Sequence, residues 1–196
     1  SETYLIVFNK DGRSSGPAPV LHNPTAPVIL SEAKDLSEAK DLAVSGPWDL
    51  TLSQPQLGST WTARLDTLQD FKDMADTTFK NFMGTIVYKT TVILSEAKDP
   101  SEAKDLPKYI DLGKVADICE LKVNGHDVGT QWFGERIYDI SPYVKAGENT
   151  IEVKVTTLMG NYIQTLKDNQ AAQRFVLRRN QPYVSAGLIG PVKLYK

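Results

Sequence analysis

Residues 131–138 read Gln-Trp-Phe-Gly-Glu-Arg-Ile-Tyr, a short run that sets aromatic rings, a guanidinium and a carboxylate close together. Carbohydrate recognition needs such a set. An aromatic face covers the CH surface of a sugar, and planar hydrogen-bonding groups meet its hydroxyls. Trp132 and Tyr138 can stack, and Arg136 can donate a fork of hydrogen bonds. Asn161, with Tyr162, follows a strand expected to end near Val155 and is placed on the same rim. A plainer reading stands beside this one. Trp132 can be core, and these loops can contact a neighbouring domain rather than a sugar.

Acid–base hydrolysis usually needs two carboxylates about 5–10 Å apart across a cleft. Glu135 and Asp139 flank Arg136 and are the pair to consider. A structural role for both is the better reading, so no catalytic residue is assigned. A metal site needs clustered His, Cys or carboxylate ligands. The two histidines, His22 and His126, have no paired ligand at usable spacing, and no metal ligand or cofactor is assigned. Calcium stays open, because loop carbonyls bind it without a motif. No glycine-rich phosphate loop and no nucleophile elbow is present. The single cysteine, Cys119, alternates with Leu121 and Val123, which predicts a buried strand position.

The elements that must carry these residues are strands. The chain has 196 residues, 41% of them hydrophobic, enough for one substantial core. Trp48, Leu50 and Leu52 alternate and should face that core. Residues 84–91 are rich in β-branched side chains and read as a strand. Asn124-Gly125 lies between two strand-like runs and suits a tight hairpin, whose central residues need positive φ. Ser141-Pro142 predicts a single helical turn, with the serine as N-cap. Ile151, Val153 and Val155 should point inward, with Glu152 and Lys154 in solvent. A short helix is expected around Leu68–Met74, and a last strand over residues 190–195. Many short strands with Gly and Asn turns indicate an all-β sandwich.

Residues 28–42 and 92–106 are the same phrase, a doubled SEAKDL hexamer behind Val-Ile-Leu, differing only at Leu36 and Pro100. Two copies so far apart do not make a solenoid. They read as a dispersed repeat inserted twice, which points to a bacterial source. Val28–Leu30 and Val92–Leu94 are expected in strands, with surface excursions after them. The copies hold eight acidic residues and four lysines and are expected to form a solvated surface without a partner. Residues 1–9 read as a strand and 10–19 as a turn or linker. Residues 1–20 are then the tail of a preceding domain or the first strand of this one, and 21–196 are the sandwich.

A formal charge of -2 argues against a nucleic-acid footprint. One cysteine excludes an internal disulfide. No run of about 18 apolar residues is present, so no membrane-spanning helix is expected. Ser1–Tyr4 lacks the regions of a signal peptide, and the chain reads as a mature or excised piece.

Several phrases in order resemble one known module. They are Asp111-Leu-Gly-Lys-Val115, Val123-Asn-Gly-His-Asp-Val-Gly129, Arg136-Ile-Tyr-Asp-Ile-Ser141 and Gly147-Glu-Asn-Thr-Ile-Glu-Val-Lys-Val155. This wording resembles the jelly-roll sugar-binding domain of glycoside hydrolase family 2. It is closer still to the C-terminal sandwich of bacterial α-L-rhamnosidase-like glycosidases. Gly46-Pro-Trp48 resembles the module's opening, and Gly187-Leu-Ile-Gly-Pro-Val-Lys-Leu194 its ending. Asp139 falls in the module's Arg-x-Tyr-Asp-Ile segment, which implies that it bonds backbone groups beside the helical turn. Met83 stands where a serine is usual. Thr157, Met159 and Tyr162 replace the family's asparagine, tryptophan and arginine, while Asn161 is kept. The resemblance covers about residues 44–196 without the second repeat. It implies an antiparallel jelly-roll, galactose-binding-like sandwich. It also implies a non-catalytic accessory module of a larger, secreted or periplasmic bacterial glycoside hydrolase. The expected partners are the catalytic domain of the same parent chain and an oligosaccharide. The alternative is a purely structural domain with no ligand of its own.

Overall fold

A computed structural model of the chain describes residues 42–94, 106–179 and 182–196. The expected strand at 1–9, the linker at 10–19, the strand at Val28–Leu30 and most of both repeats lie outside the described residues. The strands in chain order are β1 (Leu42–Ala43), β2 (Trp48–Gln54), β3 (Ser59–Leu65), β4 (Thr85–Leu94), β5 (Tyr109–Asp111) and β6 (Lys114–Val115). They continue as β7 (Ile118–Val123), β8 (His126–Gln131), β9 (Ile137–Asp139), β10 (Gly147–Thr156), β11 (Leu188–Gly190) and β12 (Lys193–Tyr195). Among the described residues three α-helices join them, α1 (Thr77–Lys80), α2 (Gly160–Ile163) and α3 (Gln170–Arg179).

The fold is an all-β sandwich of antiparallel sheets. One sheet has six strands in the order β3-β2-β4-β10-β7-β8. A second has four, β1-β12-β5-β9, and β11 pairs with β6 beside it. The expected alternation is present. Trp48, Leu50 and Leu52 of β2 and Ile151, Val153 and Val155 of β10 are buried. Ile86 and Tyr88 of β4 and Cys119, Leu121 and Val123 of β7 complete that layer. Ile110, Leu112, Tyr138, Ile140, Leu188 and Leu194 face it from the other side. Burying each large apolar side chain contributes about 1.5–3 kcal/mol.

The outer face of the large sheet is ordered by charge. Arg64, Asp49, Lys89, Glu152, Lys122 and Asp127 are successive cross-strand neighbours, alternating in sign across all six strands. Arg64 lies 3.2 Å from Asp49, and Lys122 3.0 Å from Asp127. In the next row Lys154 meets Glu120 at 2.8 Å. Such pairs add little individually in water, but opposite charges directly across a ladder favour this register over others.

The β7–β8 hairpin turns at Asn124 and Gly125, with φ of 51° and 81°, as the dipeptide predicts. Asn124 also donates to Tyr143 O and Asn149 Oδ1, both at 2.8 Å, so it ties the hairpin to the β9–β10 connection. Three expectations need correction. The short helix near Leu68–Met74 is a 3-10 turn at Phe71–Asp73, capped by Asp70, which accepts from Lys72 N at 3.2 Å. Its brevity follows from Phe71, which is fully buried and anchors the segment in the core. Residues 141–143 form a turn, and its cap is Asp139 rather than Ser141. The Asp139 carboxylate accepts from Ser141 N at 2.9 Å and Ser141 Oγ at 2.6 Å, the backbone role expected of that aspartate. The last strand is split into β11 and β12 by Pro191, which lacks the N–H a ladder needs.

Leu188 N donates to Tyr88 Oη at 3.1 Å inside the core. Gly187, at φ 89°, makes room for that hydroxyl, since a Cβ there would sit 2.5 Å from it. Tyr88→Phe should therefore leave a buried N–H unpaired. The expected loss is about 1–3 kcal/mol, read as a lower urea midpoint with an unchanged denaturant slope.

Candidate binding face at one end of the sandwich

Three loops meet where β8 and β10 end and β7 begins. They are residues 132–136, residues 116–117 and residues 157–159. The register brings them together. Ile118 is paired with Thr156, and Cys119 with Gln131, so these strands share one end. Thr157 locks that end to β4, with Thr157 N on Gly84 O at 2.9 Å and Gly84 N on Thr157 Oγ1 at 3.0 Å.

Arg136 holds the first two loops together from inside. It is 7% exposed. Nη1 donates to Gly134 O at 2.8 Å and Nη2 to Asp117 O at 3.3 Å, while the buried Nε has no partner. Both loops make sharp turns there, with Asp117 at φ 74° and Gly134 at φ 78°. Leu158 N in turn hydrogen-bonds to the Asp117 side chain. Asn161 of α2 extends the chain of links. Its Nδ2 donates to Val184 O and its Oδ1 accepts from Val184 N, both at 2.9 Å. Loops 116–117, 132–136 and 157–163 and segment 182–186 thus form one braced unit.

Apolar side chains project from this brace. Trp132 is 70% and Phe133 87% exposed, and Ile118, Leu158, Met159 and Val184, on or next to the same linked loops, are exposed as well. Of the four residues singled out for sugar contact, Trp132 is on the surface and Arg136 lies directly beneath its loop. Tyr138 and Asn161 are buried. The Tyr138 hydroxyl sits 3.2 Å from Cys119 Sγ, and Asn161 spends its amide on Val184. Glu135 and Asp139 are exposed. Among the described residues, no three His, Cys, Asp or Glu side chains gather around a point that could hold a metal ion.

Burial raises the Asp117 carboxyl above its ordinary value, partly offset by the Leu158 N–H. Burial likewise raises the Cys119 thiol, against the pull of Tyr138 and Arg136. Phe133, Ile118, Leu158, Met159 and Asp117 were not singled out from the sequence. Ile118 carried a signal, since it is out of phase with the inward set Cys119, Leu121 and Val123.

No family model matches the chain. A putative beta-glucuronidase of Formosa agariphila is 34% identical over 139 residues, which is 71% of this chain and 11% of that protein. The rhamnosidase of Novosphingobium sp. PP1Y superposes with a TM-score of 0.63 at 28% identity, over 82% of this chain and 16% of that one. Beta-glucuronidase of Ruminococcus gnavus shares the fold, with a TM-score of 0.50 at 17% identity over 63% of this chain and 22% of that one. The chain spans a small part of each of these glycosidases.

Two variants test the brace. Arg136→Lys cannot span both carbonyls with a point charge. It should cost about 1–3 kcal/mol and speed amide exchange at residues 132–135 and at Ile118. The Asp117 carboxyl is held up in the folded chain, so its contribution is full below the unfolded value and is lost as pH rises through the folded one. Asp117→Asn keeps an acceptor for Leu158 N and removes the charge. It should raise the urea midpoint at neutral pH, with the gain vanishing as pH falls below the ordinary 3.8.

Proposed function

Because the chain is a glycoside-hydrolase-related module, we propose that it is a non-catalytic accessory domain of a larger bacterial glycoside hydrolase and that it contacts carbohydrate through its Trp132–Phe133 loop. Its core topology is assigned to the jelly-roll, galactose-binding-like type. The observation that carries the sugar reading is the exposed Trp132 and Phe133 pair on a loop braced by a buried guanidinium. A folded chain gains nothing from holding two rings in water, whereas a sugar's CH face gains an apolar platform there. Within this reading Trp132 stacks on the sugar. Arg136 positions the loop, and Tyr138 and Asn161 hold the frame behind it. Catalytic carboxylates belong to another part of the parent chain, and a glycan substrate suits a secreted or periplasmic enzyme.

A second reading has its own support. Ile118, Leu158 and Met159 are further exposed apolar side chains at this end, more than one sugar ring would cover and as a seat for the catalytic domain would have. In that case the module has no ligand of its own.

Titration calorimetry with a panel of neutral and acidic plant-type oligosaccharides separates the two. Under the first reading the chain binds at least one glycan, and Trp132→Ala lowers that affinity about tenfold or more with no change in urea midpoint. Absence of binding across the panel, or binding indifferent to Trp132, gives the face to the domain contact.

A further inference from the structure

Ser185 follows Val184, which Asn161 ties to the braced loops, and two lysines converge on it. Lys72 Nζ donates to Ser185 Oγ at 3.2 Å, and Lys114 Nζ to the same oxygen at 3.3 Å. The three residues come from distant parts of the chain: the 3-10 turn, the start of β6 and the segment before β11. The two ammoniums therefore stand within two hydrogen-bond lengths of each other, an arrangement that like charges resist.

Among the described residues, the carboxylate that forms an ion pair with this cluster is that of Asp70. Asp70 Oδ2 lies 3.3 Å from Lys72 Nζ. That carboxylate is already engaged, with Oδ1 accepting from Lys72 N at 3.2 Å and Ala186 N at 3.1 Å and the Ser185 hydroxyl bonded to it as well. Asp70 is buried, whereas Lys72 is partly exposed and Lys114 exposed. The anion thus sits at the bottom of the cluster, with one positive charge in excess at its mouth. Both ammoniums donate to the hydroxyl oxygen and engage its lone pairs, so the cluster is built to bind rather than to attack.

The cluster and the apolar face share their supports. Asn161 grips Val184 on both backbone atoms, and β6, which opens with Lys114, runs into the Asp117 loop. We infer that Lys72, Lys114 and Ser185 form an oxyanion site, which takes the carboxylate or sulfate of an acidic glycan lying along the Trp132 face. The glycan in this inference rests on the carbohydrate reading above, but the anion does not.

The anion is tested first, without any sugar. Inorganic sulfate is titrated at constant ionic strength while the amide signals of Ser185 and Ala186 are followed. Saturable shifts are expected in the native chain and in Lys114→Arg, and none in Lys114→Gln. No saturable shift, or one unaltered in Lys114→Gln, overturns the site whatever Trp132 does. The second arm compares oligogalacturonate, its carboxyl-reduced counterpart and a sulfated neutral oligosaccharide. At least one acidic glycan should bind about tenfold more tightly than the reduced one, and Lys114→Gln should abolish that preference. Preference for the uronate or for the sulfate ester names the source. Equal affinity for all three overturns the acidic glycan. Trp132→Ala leaving every affinity unchanged would sink the stacking role alone.

Discussion

The register between β4 and β10 is the constraint on which the rest of the molecule depends. These two central strands pair over ten positions without interruption, from Gly147 opposite Leu94 to Thr156 opposite Thr85. Strand side chains alternate faces, so a slip of one residue would turn Ile151, Val153 and Val155 to water and Glu152 and Lys154 to the core. The same register fixes the outer face. It sets Lys89 across from Glu152, and through β2 and β7 it builds the row that alternates in sign across the sheet. Inner packing and outer charge therefore favour one alignment, and each opposes the slips that the other would have to tolerate.

That register also builds the loop face. β10 stops at Thr156, and Thr157 bonds both backbone atoms of Gly84, so Leu158 and Met159 leave the sheet at a fixed point. β7 begins opposite that point, and the residue that opens it, Ile118, is turned outward. The remaining freedom lies in the 132–136 loop, and Arg136 removes it. Burying a guanidinium against two carbonyls is a costly way to hold a loop. A glycine turn or an apolar plug would close the same gap with less desolvation. The guanidinium adds a reach to two separate loops at once, which places Trp132 and Phe133 relative to Asp117 and Leu158.

Much of the sandwich was legible because its signals are local. Trp48, Leu50 and Leu52 show their period within one strand, Asn124-Gly125 specifies its turn in two residues, and Asp139 meets its partner two residues on. Trp132 was legible as a candidate by its type and its neighbours. Arg136 and Tyr138 looked like rim residues because they follow it closely in sequence, yet with Ile140 they form an alternating inward set. That period of two was the available signal, and it outweighs proximity to an aromatic. Asn161 gave no local sign of its role, since its partner Val184 is 23 residues away. Lys72 and Ser185 are 113 residues apart, and no pattern along the chain joins them. Contacts of that kind arise from the order of strands in the sheets, which alternation does not specify.

The two exposed surfaces of the sandwich differ in what they can recognise. Across the outer face of the large sheet the charges of the central rows stand beside opposite neighbours, so these rows present little net field. A solvated ladder of that kind gives a partner nothing that water does not already supply. At the loop end the balance is reversed. Three linked loops expose apolar side chains, and the Lys72–Lys114 pair leaves a positive charge only half answered by Asp70. The brace beneath has already removed the freedom of these loops, so a ligand or a neighbouring domain meets a surface that need not be ordered on contact. A module that fills a small fraction of a glycosidase can contribute to it through position or through recognition. In this chain both would act through the same end, because it is there that unbalanced chemistry and fixed geometry coincide.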